Sequence, residues 1–171
     1  RTNYPYFISP ILKAVWALVL AHNSGIQLDM QGEMMYNFKT KPYQHQLDVY
    51  ECSKDHDYWA FFMEMGTGKS KVVVDQIGYL WDKGALDTVL IIAPKGVFDN
   101  WVQQEIPRHL SDQVKHKIVR WQPNWTKGWV EEISNISVPN LRTKGVLSIL
   151  VMNVEAFSTT KGASTAAKYL S

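Results

Sequence analysis

Short, almost wholly apolar runs alternate along this chain with stretches in which apolar positions return every three or four residues. Tyr58-Trp-Ala-Phe-Phe62 is followed by Lys71-Val-Val-Val-Asp-Gln-Ile-Gly-Tyr-Leu-Trp81, and Thr88-Val-Leu-Ile-Ile-Ala93 by a second helical pattern. The order predicts strand 58–63, helix 69–83, strand 88–93, helix 97–110, strand 117–121, helix near 126–134 and strand 147–152. Runs such as Leu147-Ser-Ile-Leu-Val-Met152 leave no polar face, as in sheets covered on both sides. Alternating strands and helices imply an α/β fold with a parallel sheet flanked by helices. Upstream, residues 7–22 have helical spacing and Asn23-Ser-Gly25 reads as a stop. Residues 26–37 suggest a short strand at 26–28 and a helical turn or two. Residues 38–42 form a connector in which Pro42 bars a helix, and a helix resumes over 43–53. Residues 122–146 are the least legible.

Size and composition then narrow the class. The 171 residues suit one core, with 46% hydrophobic and 20% charged residues. A net charge of +2 permits a polyanionic partner without announcing one. A lone cysteine, Cys52, excludes an internal disulfide and fits a reducing compartment. The scattered histidines have no zinc-ligand spacing. The apolar stretch Ile11–Ala21 is too short to span a bilayer and contains Lys13, and no small-residue cleavage site follows it. No membrane partner and a cytoplasmic location are therefore expected. The chain starts at Arg1 and stops at Ser171 without a terminal element, so it reads as part of something longer. The expected division is an amino-terminal helical extension over 1–35 and a core over 36–171.

The chemistry concentrates in Met63-Glu-Met-Gly-Thr-Gly-Lys-Ser70. Strand, glycine loop, Gly-Lys-Ser and helix in that order describe the phosphate-binding loop of a nucleoside-triphosphatase. Gly66 and Gly68 permit backbone angles that turn successive N–H groups, with that of Thr67 between them, around phosphate oxygens. The helix opening at Lys69 adds its positive dipole end. Lys69 would reach the outer phosphates and Ser70 would hold Mg²⁺. The common form of this loop begins with a glycine where Met63 stands.

Other segments fall into place around the loop. Gln44 precedes Lys69 by 25 residues, and a glutamine amide can both accept from the adenine amino group and donate to the neighbouring ring nitrogen. Strand 88–93 ends in Pro94-Lys-Gly96, at the end of a parallel strand where α/β folds bind ligands. Lys95 and free N–H groups there could hold nucleic-acid phosphates. Leu150 to Thr160 repeats the arrangement of a strand end followed by small polar donors. Trp121, Trp125 and Trp129 fall four apart and could stack bases, but Pro123 interrupts the series and core packing is the better reading.

Taken in order, these segments resemble the first motor lobe of superfamily-two helicases, closest to the Swi/Snf-like branch and its phage and prophage members. Phe38-Lys-Thr-Lys-Pro-Tyr-Gln44 looks like the glutamine motif and Met63–Ser70 like motif I, whose Met-Gly-x-Gly-Lys form accepts a non-glycine at Met63. Val89–Trp101 looks like motif Ia and Met152-Asn-Val-Glu-Ala-Phe157 like motif Ib. The resemblance spans about residues 36–160. It implies part of a RecA-like lobe in which Gln44 reads adenine of ATP, Gly66, Gly68 and Lys69 cradle phosphates, and Ser70 helps hold Mg²⁺. Lys95, Gly96, Asn153 and Ser158 would lie along the backbone of a double-stranded DNA. The family's acidic motif II is not in the sequence, nor is the second motor lobe that would be a partner within the same protein. The expectation is a DNA-dependent ATPase or translocase, in the host cytoplasm if phage-encoded, of which this chain alone hydrolyses little. Alternatives are an RNA helicase, a restriction-system motor subunit, or a nucleotide-binding DNA scaffold without hydrolysis. A phosphate-loop kinase fits Gln44 and the Pro94 loop less well.

Overall fold

The computed structural model describes residues 18–22, 36–136 and 145–170. Its centre is a mixed sheet of four strands: β1 (Leu18–His22), β2 (Thr88–Ala93), β3 (His116–Arg120) and β4 (Leu147–Asn153), in the order β1-β2-β4-β3. β2, β4 and β3 are parallel, and β1 closes the edge antiparallel to β2, with Leu18 opposite Ile92. The helices are α1 (Gln44–Ser53), α2 (Lys69–Asp82), α3 (Phe98–Asn100, Trp101–Glu105 and Ile106–His109, the middle stretch π-helical), α4 (Lys127–Ile136), α5 (Val154–Phe157) and α6 (Thr160–Leu170).

Strand periodicity builds the two sides of the core. Val89, Ile91, Leu147, Ile149 and Val151 turn one face of the sheet toward Val74 and Ile77 of α2 and Trp101 and Ile106 of α3. The residues between them, Leu90, Ile92, Leu150 and Met152, face Trp129 and Ile136 of α4 and Ala166 and Tyr169 of α6. Both faces are covered, which is why β2 and β4 are almost wholly apolar. One buried polar residue among them, Ser148, is satisfied: its hydroxyl donates to the Ile136 carbonyl at 2.7 Å and pairs with the Tyr169 hydroxyl at 2.6 Å. A satellite cluster of Tyr36, Tyr50, Val72 and Tyr79 fastens α1 to α2.

The expected helices at 43–53, 69–83 and 126–134, and strands at 88–93, 117–121 and 147–152, match elements here to within two residues. Two expectations are corrected. The helix expected through residue 22 gives way at Leu18–His22 to β1, because β2 has an open edge of unpaired N–H and C=O groups and an apolar pentapeptide can satisfy them. Residues 7–17 and 23–35, with the short strand expected at 26–28, lie outside the described residues. Residues 58–63 form no strand. With β1 on the β2 edge, this run has no partner in the sheet, and Tyr58 and Phe62 are exposed. The expected helix 97–110 is present but widened at its centre, where the Ile106 N–H bonds back to the Trp101 carbonyl. Pro107 supplies the cause, since it lacks an N–H and its ring crowds the carbonyl four residues earlier.

Candidate functional site

α2 and β2 are joined by a short connection, residues 83–87, so the chain reverses and the amino end of α2 lies toward the carboxyl end of β2. The loop over Met63–Ser70 therefore sits at the end of the sheet from which the segments after β2 and β4 also emerge. Its path depends on two glycines in the left-handed region, Gly66 at φ 79° and Gly68 at φ 81°. A side chain at Gly66 would meet open space, so only its angle demands glycine. At Gly68 a Cβ would also collide with the Gln46 amide. Gly68 caps α2, and Thr67 steadies the turn by donating its hydroxyl to the Glu64 carbonyl at 2.7 Å.

Lys69 curls over the loop that precedes it. Its Nζ donates to the carbonyls of Met63 and Glu64 at 2.9 and 2.7 Å, which holds the ammonium at the loop mouth, half-buried. Ser70 follows in the first turn of α2. The next lysine has the opposite surroundings: Lys71 is buried, ion-paired with Asp75 at 2.6 Å, and lies over the Phe38 ring. Burial pushes the Asp75 carboxyl up to about 6, against the pull of Lys71. Its Oδ1 has no hydrogen-bond partner among the described residues.

α1 braces the loop through a residue that sequence reading passed over. Gln46 is buried; its Oε1 accepts from the Tyr43 N–H and its Nε2 donates to the Thr67 carbonyl, both at 3.0 Å. The His45 Nε2 also lies 3.0 Å from the Thr67 carbonyl and donates to it in the tautomer that carries that proton. Because a trans peptide points its C=O and N–H oppositely, anchoring the Thr67 carbonyl to α1 aims the Gly68 N–H away from α1. The signal for Gln46 was its place as third residue of α1, where a glutamine reaches back to the residue before the helix. Gln44, in contrast, donates its amide to Asp48 at 2.8 Å and stands exposed on its own helix.

The register Ala93↔Asn153 sets the two strand-end segments side by side. Lys95 and Gly96 are exposed on a turn closed by the Val97 and Phe98 N–H groups on the Pro94 carbonyl. Asn153 caps α5 and donates its amide to Glu155 at 2.9 Å, while the Ser158 hydroxyl donates to the Val154 carbonyl. The structure thus groups Lys95, Gly96 and Asn153, and places Ser158 one short helix further on. Arg120 joins β3 to α3 through Asp99 and covers the Phe98 ring. Trp121, Trp125 and Trp129 form a contiguous aromatic cluster in which Trp121 and Trp129 are buried, in keeping with a packing role, whereas Trp125 is exposed and the core reading does not hold for it.

Among the described residues no three His, Cys, Asp or Glu side chains gather as a metal cluster, and no helix is long and apolar enough to cross a membrane. No protein-family model, curated protein or solved structure matches the chain.

Proposed function

We propose that the chain binds Mg-ATP as part of a RecA-like first motor lobe of a Swi/Snf-like, DNA-dependent ATPase. The observation that carries this reading is the loop itself: two left-handed glycines, a peptide anchored to α1 at the Thr67 carbonyl, and Lys69 at the amino end of a long helix. Backbone N–H groups, an ammonium and a helix amino end all favour a multiply charged oxyanion. Lys69 gives up two carbonyl bonds on engaging phosphate and gains stronger charge-assisted ones. Ser70 would hold Mg²⁺, whose other positions go to phosphate oxygens and water, an ordinary arrangement for this ion. The metal would offset phosphate charge.

DNA enters the proposal through the neighbouring strand ends. Lys95 and Gly96 offer an exposed cation and turn amides beside Asn153. Such groups contact phosphates and carry no base information, so binding would be sequence-blind and salt-sensitive. Hydrolysis needs a metal-holding acidic group, a positioned water and a charge stabiliser together. The sequence has no Asp-Glu pair, so the chain alone would turn over little ATP. One departure qualifies the RecA-like comparison: residues 58–63, before the loop, lie outside the sheet.

Calorimetric titration with Mg-ATP tests the proposal. Binding is expected in the unaltered chain, and Lys69→Ala should weaken it at least tenfold, the size of one charge-assisted phosphate contact. Equal affinity in the variant would remove the loop from the site. Titration with a duplex and a single strand of DNA at two salt concentrations tests the second half, with Lys95→Ala expected to lower the salt slope.

A further inference from the structure

A cleft of about 270 Å³ opens between α4 and α6, on the sheet face opposite α2. Trp129 and Tyr169 are its buried floor, and Trp125, Val130 and Ile133 line it from α4 and the turn before that helix. α4 gives Trp129, Ile133 and Ile136, at helical spacing, to the core, which leaves Val130 outside that stripe and 44% exposed. Trp125 is 46% exposed, yet its ring is held: it stacks on Trp129 at 5.5 Å between centroids and meets Trp121 edge-on. One exposed apolar residue means nothing by itself, whereas two beside the same apolar cleft make a continuous surface. Charge tells what that surface would accept. Lys161 and Lys168 lie two helical turns, about 10 Å, apart on α6. The Lys161 Nζ is 4.1 Å from the centroid of the Trp125 ring, and Lys168 lines the cleft. Among the described residues that line the cleft none is acidic; Glu131 and Glu132 of α4 border a separate hollow.

We infer that the cleft between α4 and α6 is a docking surface for an acidic amphipathic helix of a partner protein, with Trp125 as its anchor and Lys161 and Lys168 as its charged rim. An apolar floor with cations two turns apart on one side complements a helix that carries leucine-like side chains on one face and carboxylates at the same spacing beside it. Val130 and Ile133 suit aliphatic side chains and offer a nucleobase no ring to stack on. The inference stands apart from nucleotide binding, since α2, which follows the phosphate loop, packs on the other face of the sheet.

The probe is a synthetic peptide of about 18 residues, long enough to hold a helix, with leucines at helical spacing on one face and glutamates two turns apart beside them. Its fluorescence anisotropy is followed as the whole chain is added. Saturable binding that weakens as salt rises is expected. Val130→Glu, at an exposed position, should weaken it about tenfold, the order of one lost central contact. The double variant Lys161→Glu, Lys168→Glu should reject this probe and accept the same peptide with lysines in place of glutamates, an exchange that loss of folding cannot produce. No binding to the unaltered chain, equal binding by Val130→Glu, or no exchange of preference in the double variant would each refute the docking surface. If duplex or single-stranded DNA displaces the probe and is itself weakened by Val130→Glu, the cleft is a nucleic-acid surface and the inference falls.

Discussion

Two titratable residues, Asp75 buried on α2 and His109 half-buried at the end of α3, act against each other. Asp75 is pushed up to about 6 by burial, so folding favours its protonated form. Its stabilising contribution is full below the ordinary aspartate range near 4 and is lost as pH rises to about 6. His109 is pushed down to about 4 by burial and by the Lys71 and Arg108 charges, so folding favours its neutral form. Its contribution is full above about 6.5 and is lost as pH falls to about 4. Thr40, 2.7 Å from His109 Nδ1, suits the neutral ring, and Glu105 at 3.9 Å pairs with it only when protonated. Each displacement corresponds to about 3 kcal/mol over its full range, and between pH 4 and 6 the two have opposite signs. Relative to the unaltered chain, His109→Gln should become less stable as pH rises through this window, and Asp75→Asn more stable. Urea midpoints at several pH values check this; parallel curves for all three proteins would refute it. Gly68→Ala belongs to the same scale. It should cost about 2 kcal/mol for the left-handed angle and displace Gln46, read as a lower urea midpoint with weakened Mg-ATP binding.

At the scale of elements, one side chain, Tyr169, ties α6 to two strands of the sheet. The Tyr169 hydroxyl meets Ser148 of β4 at 2.6 Å and lies 3.3 Å from the Val89 carbonyl of β2. Tyr169→Phe should lower stability by about 1–2 kcal/mol in denaturant melts, since Ser148 keeps its bond to the Ile136 carbonyl. A variant as stable as the unaltered chain would show that α6 is held by packing alone. The elements legible in sequence were those with long or uniform patterns: α2, β2 and β4 declare themselves because both sheet faces need apolar cover. β1 and residues 58–63 were misread for a shared reason. An apolar pentapeptide such as Leu18-Val-Leu-Ala-His22 or Tyr58-Trp-Ala-Phe-Phe62 has no intrinsic answer; which of them pairs with β2 is decided by competition for one sheet edge. Pro107 carried a legible warning that α3 would not be regular. At the site, Gly66, Gly68 and Lys69 were readable from their spacing. For Gln46 only its reach back to Tyr43 had a sequence signal; its bond to Thr67, across 21 residues of chain, had none.

For the molecule as a whole, the sheet order fixes where motion is least and the loop bracing fixes what binding should reach. β2 and β4 each have a strand on both sides, and their residues other than Asn153 are fully or almost fully buried. Amides of 89–92 and 148–152 should exchange with solvent most slowly, while residues 56–64, without regular structure, should exchange early. Mg-ATP gives this map a sharper use. A ligand on residues 66–70 stabilises the peptide conformation that points the Thr67 carbonyl at α1, and that carbonyl is held by Gln46 and His45. Protection should therefore spread to the first turn of α1 over residues 44–47. Gln46→Leu, which removes the anchoring amide but keeps an apolar filling, should confine protection to the loop and weaken binding by several-fold, on the order of one or two lost hydrogen bonds. Protection of 66–70 with no change at 44–47 in the unaltered chain would mean that α1 is passive scaffolding. Spread of protection in both proteins would mean that coupling runs through another contact, for which the His45 bond to the Thr67 carbonyl and the packing of Tyr50 against Tyr79 are the routes.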